Sequence, residues 1–307
     1  MKLFSVSGTA LKSVDTQPFK LEKEIQALVE NNLDELFNLE FVRSELAFKN
    51  FRLDTLAYDR ENKSFVIIEY KKERNFSVID QGYTYMSILL NNKADFILEY
   101  HEHSGITLKK DEVDWSQSRV LFISPYFTEY QKNSINFRDV PFELWEIKRY
   151  TNGLISLYNH KVDSQETIAT ISKDPENVVS EVSKEIKKYT EEDHFNRRKT
   201  RDESIPELYR QLKKRILDLG DVEILPRKKY ISFRRKSPFA DIIFYAHHLR
   251  VVLNLKSGEL DDPKNLTKNL SEQGHWGNGD YYIIITPDSD LDYVMFLVNQ
   301  SFKKQEA

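Results

Sequence analysis

The chain has 307 residues, with 45 Lys and Arg against 49 Asp and Glu, a net charge of −4 and a pI near 6.0. It has no cysteine, which excludes disulfides and thiolate metal centres. No apolar run approaches the ~18 residues of a membrane span. Hydrophobic residues make up 40% and aromatics 12%, enough for the cores of two domains. Met1–Ser5 has no h-region of a signal peptide, and the lack of cysteine suits a reducing compartment, so a cytoplasmic location is expected. A nucleic-acid partner then needs local basic patches rather than a basic whole.

Residues 1–19 read as a leading segment with a strand near Lys2–Val6. Leu21 to Phe37 follows as one amphipathic helix, with Leu21, Ile25, Leu28, Val29, Leu33 and Leu36 on its apolar stripe. At about 100° per residue, Glu22 falls within the edge of that stripe and Glu24 just outside it. A carboxylate on a buried face needs a partner. The equal alternative is an exposed first-turn glutamate favoured by the helix dipole. Phe41 to Phe48 reads as an edge strand.

Arg52–Asp59 and Phe65–Lys72 read as two strands of a hairpin around the polar turn Glu61–Ser64. Glu69 and Lys71 are two apart and so share a face. With Asp54 opposite, two carboxylates and an ammonium converge. Two oxygen ligands suit a hard cation such as magnesium, which keeps several waters. Bound metal stabilises charge on a phosphoryl oxygen and lowers the pKa of its water. An ammonium beside it positions the attacking water or stabilises the developing charge. On spacing alone the pattern arises often by chance as a solvated hairpin face, since 31% of the residues are charged. The apolar run Phe65–Ile68 leading straight into Glu69 sets this instance apart. Ser77 then opens a helix through Leu90, with Asp80 completing a capping-box-like pair, and Gln81 and Tyr85 share one face of it.

Asp54 followed by Glu69-Tyr70-Lys71 resembles the catalytic signature of the PD-(D/E)XK nuclease superfamily. Gln81-Gly82-Tyr83-Thr84-Tyr85 is similar to the glutamine-x-x-x-tyrosine motif of its RecB-type members. Leu53 stands where the naming proline would precede Asp54. The resemblance implies Asp54 and Glu69 as magnesium ligands, helped by the Tyr70 carbonyl, with manganese as a substitute. It implies Lys71 as the catalytic lysine, Gln81 as an orienting or DNA-contacting residue, and Tyr85 as its support. Members often place a first-helix glutamate beside the metal, which adds Glu22. Arg52, Lys72 and Arg74 flank the signature as expected nucleic-acid contacts.

Asp95–Tyr100, Arg119–Ser124, Phe142–Ile147 and Leu154–Tyr158 read as further strands, and strands interleaved with helices argue an α/β core. The expected fold is a restriction-endonuclease-like mixed sheet flanked by helices, over residues 1–160. His101 and His103 read as solvated loop histidines in preference to metal ligands. Residues 161–200 turn charged and poor in aromatics, and read as a linker with a helix at Asn177–Tyr189.

Residues 201–307 read as an α+β domain. A helix from Ser204 to Leu219 precedes strands at Val222–Leu225, Tyr230–Phe233, Ala240–Tyr245, Leu249–Leu255 and Tyr281–Thr286, and a last helix runs from Leu291 to Lys304. Asp262-Pro263-Lys264 and Gly274-His275-Trp276-Gly277-Asn278-Gly279-Asp280 resemble the marks of a C-terminal domain of unknown function, some of whose bearers are labelled predicted transport proteins. Nothing here spans a membrane to support that label. Arg234, Arg235 and Lys256 suggest a nucleic-acid guide. A charged strand edge guarded against aggregation explains the arginines equally well. His275 and Trp276 are candidate ligand or base readers, although the glycines around them chiefly permit tight turns.

The expected function is therefore a magnesium-dependent nuclease acting on DNA, with RNA not excluded, and with the C-terminal domain selecting substrate or partner. The alternative is a non-catalytic nucleic-acid or protein-binding module on the same scaffold. No membrane partner is expected, and a homodimer stays open.

Overall fold

The run Ser64–Tyr70 is buried on both faces, and such a strand must be covered by helices on each side. It is the centre of the N-terminal unit, Met1–Lys188; the C-terminal unit is Tyr189–Ala307. The computed structural model describes residues 2–72, 77–162, 164, 166–168, 177–197, 204–271 and 278–304.

The N-terminal unit opens with β1 (Leu3–Ser7) and β2 (Ala10–Val14), then α1 (Glu22–Glu30), α2 (Leu33–Phe37), β3 (Glu40–Phe48), β4 (Phe51–Asp59) and β5 (Ser64–Tyr70). There follow α3 (Val78–Asn91), α4 (Lys93–Ser104), β6 (Arg119–Ser124), α5 (Glu129–Ser134), β7 (Phe142–Arg149), β8 (Ile155–His160) and α6 (Val178–Glu185). Strands β3 to β8 form one mixed sheet in sequence order. β5, β6 and β7 run parallel and the outer pairs are antiparallel. Parallel neighbours require crossovers, which α3–α4 and α5 supply. α1 and α2 pack on Ala57, Val66, Ile68, Leu121 and Ile123. α3, α4 and α6 cover the opposite face, on Leu56, Phe65, Ile67, Phe122 and Leu144. This is the expected α/β fold.

Four expectations need correction. Asp95–Tyr100 is the middle of α4, not a strand. A strand would bury residues 96, 98 and 100 together; here Phe96 and Tyr100 are buried while Leu98 is 54% exposed. His101 and His103 therefore sit in the last helical turn, ended by Gly105 at φ +72°. Leu21–Phe37 is two helices, because Asn31 and Asn32 turn their amides back onto the carbonyls of Ala27 and Leu28. The leading strand is one arm of a hairpin whose second arm, β2, was not anticipated. Part of the segment expected as a linker packs on the first core: Val182 and Ile186 are buried there.

The C-terminal unit comprises α7 (Glu191–Arg197), α8 (Ser204–Leu217), β9 (Glu223–Pro226), β10 (Ile231–Arg234), β11 (Pro238–Phe244), β12 (Leu249–Leu253), β13 (Lys268–Asn269), β14 (Tyr281–Ile285) and α9 (Leu291–Lys304). Its antiparallel sheet has the order β13-β14-β12-β11-β10-β9. Leu208, Leu212 and Ile216 of α8 and Leu297 and Val298 of α9 pack on Ile231, Phe233, Ile242 and Val251. Asp262 fastens the long β12–β13 connection. Its carboxylate accepts the Thr267 amide and hydroxyl at 2.7 and 2.8 Å and the Tyr293 hydroxyl of α9.

Candidate active site

Thr55 pairs with Ile68 in the β4–β5 ladder, so the next position outward sets Asp54 opposite Glu69. Cross-strand neighbours project to one face. Asp54 follows the parity of Leu56 and Tyr58, and Glu69 that of Phe65 and Ile67, which is the face covered by α3. The Lys71 amide donates to the Ile123 carbonyl at 2.9 Å, so the strand trend continues one step past Tyr70 and returns Lys71 to the same face. Asp54, Glu69 and Lys71 thus meet at the edge where the parallel part of the sheet ends.

A hydrogen-bond chain fixes them. Lys71 Nζ and Gln81 Nε2 both donate to Glu69 Oε1 at 2.7 Å. Gln81 Nε2 also lies 2.8 Å from the Tyr85 hydroxyl, which donates to the Arg52 carbonyl at 3.4 Å. The i, i+4 spacing of Gln81 and Tyr85 on α3 makes this reach possible. Ser77 caps that helix, accepting the Asp80 amide at 3.2 Å. Gly82 lets α3 approach the sheet: a Cβ there would lie 2.6 Å from the ring of buried Phe142. Asp54 Oδ2 accepts the Tyr70 amide at 3.0 Å, while the Tyr70 ring is buried on the opposite face.

Charge is unevenly satisfied in this cluster. Glu69 is 3% exposed, and its Oε2 is buried with no hydrogen-bond partner. Burial, and next the Glu69 charge, push the Asp54 carboxyl up from 3.8 to about 6. Burial pulls the Lys71 ammonium down, but its bond to Glu69 and the surrounding carboxylates outweigh this and leave it above the ordinary lysine range. A buried carboxylate oxygen without a donor is costly, and a cation between Glu69 and Asp54 would satisfy both groups. Among the described residues no three His, Asp or Glu side chains converge on a metal position. Two carboxylates plus a carbonyl and water suit magnesium, which binds through few protein oxygens.

Glu22 begins α1 and accepts the Lys72 amide at 2.9 Å, which ties α1 to the residue after Lys71. Lys72 Nζ donates to the Lys20 carbonyl at 2.6 Å. Arg52 is exposed and ion-paired to Glu45 at 2.9 Å. Arg74, His275 and Trp276 lie outside the described residues. In the C-terminal unit, Arg234 ends β10 and donates to the Lys236 carbonyl at 3.1 Å, and Arg235 stacks over Phe302 at 5.3 Å. Lys256 follows β12 at the same sheet end: the Asn254 amide bonds the Phe239 carbonyl, next to Pro238, which pairs with Arg234.

Two contributors escaped the sequence reading. Register places Glu45 opposite Asp54, since Ser44 pairs with Thr55 and Leu46 with Leu53. Glu45 has φ +54°, and its charge adds to the upward push on Asp54. Gln26 is buried on the other side of the sheet. Its amide donates to the Asp54 carbonyl and Ser44 hydroxyl at 3.1 Å and to Glu30 at 3.0 Å, and Glu30 accepts the Thr55 hydroxyl at 2.6 Å. A glutamine between Ile25 and Val29 on an apolar stripe was the available signal, since a buried amide demands partners.

Residues 191–305 match the family described as Domain of unknown function (DUF5655), in agreement with the resemblance read from the C-terminal motifs. An uncharacterised protein of Haemophilus influenzae is 47% identical over 305 residues, which cover 99% of this chain and 100% of that protein. Among solved structures, the EndoMS-dsDNA2 complex aligns over 44% of this chain and 50% of its own, at 18% identity and a TM-score of 0.29. A repair endonuclease from Pyrococcus abyssi aligns over 43% and 50%, at 16% identity and a TM-score of 0.26. The chain thus spans about half the length of each of these two structures. No helix among the described residues is long and apolar enough to cross a membrane.

Proposed function

We propose that this chain, which belongs to one family with the uncharacterised Haemophilus influenzae protein, is a metal-dependent nuclease of the PD-(D/E)XK type that hydrolyses DNA phosphodiesters. The observation that carries the reading is the unpartnered, buried Glu69 Oε2 beside an Asp54 whose own charge is disfavoured. Asp54 and Glu69 would hold the metal with the Tyr70 carbonyl, and magnesium or manganese bound there supplies Lewis-acid stabilisation of phosphoryl charge.

The protein's own groups have separable roles. Lys71 keeps its proton at neutral pH, because Glu69 raises its proton affinity. It therefore acts as a cation and hydrogen-bond donor, toward a non-bridging phosphate oxygen or the attacking water, and not as a general base. Gln81 holds Glu69 in one rotation, and Tyr85 holds Gln81. Glu22 anchors the Lys72 backbone and so the direction from which Lys71 enters. Arg52, Lys72 and Arg74 are the proposed backbone contacts beside the site. Arg234, Arg235 and Lys256 are those of the C-terminal unit, which selects substrate or partner.

The test is incubation of the full chain with supercoiled plasmid and end-labelled DNA and RNA, in magnesium, manganese or EDTA. Cleavage in metal that is absent in EDTA and lost in Asp54→Ala and Lys71→Ala is the expected result. Tight nucleic-acid binding without cleavage in either metal replaces this reading with that of a non-catalytic binding module.

A further inference from the structure

A second polar cluster lies on the same sheet face as Asp54 and Glu69. One row of paired residues crosses four strands, Glu69–Phe122–Leu144–His160, and the next row holds Ser124, Glu146 and Tyr158. Glu146 and Lys148 repeat the Glu-x-Lys spacing of Glu69 and Lys71 on a parallel strand, with Lys148 Nζ 3.1 Å from Glu146. Three strand spacings of ~4.8 Å put His160 ~14 Å from Glu69. Glu146 Oε1 lies 2.9 Å from His160 Nε2 and so fixes that ring.

His160 opens onto a cavity of about 440 Å³ between α5 and β8, lined also by Lys132, Asn133, Asn136, Tyr158 and Lys161. That volume falls within the ~300–1,000 Å³ of small-ligand sites. Its wall mixes apolar Ile135 and Val162 with two lysines, asparagine amides and the rings of Tyr158 and His160. Tyr158 is 61% exposed, yet its ring is held edge-on to His160 at 5.0 Å. An exposed ring fixed in orientation is a stacking platform. Lys132 is paired at 2.9 Å with Glu129, whose side chain is 80% exposed. The Lys132 side chain is only 25% exposed, but its Glu129 partner stands in solvent and can yield its place to a phosphate. Bases stacking on aromatics beside lysines that track the backbone is how single strands are bound without sequence preference.

We propose that this pocket seats an unpaired nucleotide of the substrate strand, its base on Tyr158 and its phosphate on Lys132 and Lys161, a few nucleotides from the phosphodiester at Asp54 and Glu69. The assignment rests on the nuclease reading and gives it a substrate class: DNA with a single-stranded segment or end. A blunt duplex cannot offer an unstacked base to the ring.

Fluorescence anisotropy of a labelled oligonucleotide in EDTA tests it on the full chain. Single-stranded DNA is expected to bind tighter than a blunt duplex. Tyr158→Ala should weaken that binding by at least about 5-fold, with Tyr158→Phe at the wild-type level. Removing both lysines, K132A with K161A, should flatten the slope of log affinity against log salt by about 0.7, the share of one phosphate on a single strand. Unchanged melting temperatures establish that the substitutions leave the fold intact. Equal affinity of wild type and Tyr158→Ala, or a preference for blunt duplex, overturns the assignment. Because these readouts are metal-free, cleavage with Tyr158-independent binding removes only the pocket. Tyr158-dependent binding with no cleavage in any metal removes only the nuclease.

Discussion

Gln81 and Glu69 are joined by one hydrogen bond of 2.7 Å that leaves the other carboxylate oxygen of Glu69 without a donor. Lys71 occupies the same oxygen, so the protein saturates Oε1 and reserves Oε2. Removing the amide in Gln81→Ala lets the carboxylate rotate and lean on Lys71 alone. Groups that orient metal ligands typically contribute about 10–100-fold in affinity. Calorimetric titration with manganese should register at least the lower figure for Gln81→Ala.

Asp54 predicts a pH dependence with a definite sign. Its carboxyl titrates near 6 in the folded chain against an ordinary 3.8, so between those values the folded state binds more protons than the unfolded. Stability therefore falls as pH rises from about 4 through about 6, and the loss persists above. Without metal, Asp54→Asn should stabilise the N-terminal unit at pH 7.5 by on the order of 1–3 kcal/mol, and leave it unchanged near pH 4. Urea unfolding followed through Trp115 and Trp145 measures this. Magnesium should stabilise the wild type at pH 7.5 and much less at pH 5, where protons compete for Asp54. A flat pH profile for the difference between wild type and Asp54→Asn contradicts the assignment of Asp54 as a disfavoured charge.

Gly82 controls how closely α3 sits on the sheet. A Cβ would meet three ring carbons of Phe142 at 2.6 to 2.9 Å. Phe142 is buried against Tyr83 and Phe122 and has little room to yield. Overpacking of this kind costs about 1–3 kcal/mol. Gly82→Ala should lower the melting temperature and, by lifting Gln81 from Glu69, weaken metal binding as well. A stability loss with metal affinity intact would mean that Phe142 moves and α3 does not.

The site was legible where its geometry is local. Strand alternation alone puts Glu69 and Lys71 on one face, and helical spacing alone joins Gln81 to Tyr85. Glu45 was not legible, because its place opposite Asp54 depends on a register shift between Phe41 and Arg43 and on a left-handed backbone at a glutamate. The pocket beside Tyr158 brings together α5 and β8, which no local pattern joins. The strand expected at Asp95–Tyr100 failed for a related reason. Phe96, Ile97, Leu98 and Tyr100 carry β-favouring side chains, and only the burial of Phe96 and Tyr100 without Leu98 decides for a helix. β13 is two exposed residues, Lys268 and Asn269, recruited by β14, and its own sequence has no strand signal.

Gly279 and Gly258 separate two reasons for glycine in the C-terminal unit. Gly258 has φ +89° with nothing within 4 Å of a would-be Cβ, so it answers only to backbone conformation. Gly258→Ala should cost about 1–2 kcal/mol, the penalty of a left-handed alanine. At Gly279 an added Cβ would lie 1.7 Å from the Leu253 carbonyl oxygen and 2.6 Å from the Asn254 Cα. Those atoms are backbone at the end of β12, and the neighbouring Asp280 amide bonds the Leu255 carbonyl at 3.0 Å. No side-chain rotation relieves that overlap, so the entry to β14 must separate from β12. Hydrogen exchange should therefore show Gly279→Ala stripping protection from Val251–Leu253 and Tyr281–Ile285. Gly258→Ala should leave those amides protected. Equal, small effects of the two substitutions would mean that the β12–β14 junction can open without losing the sheet.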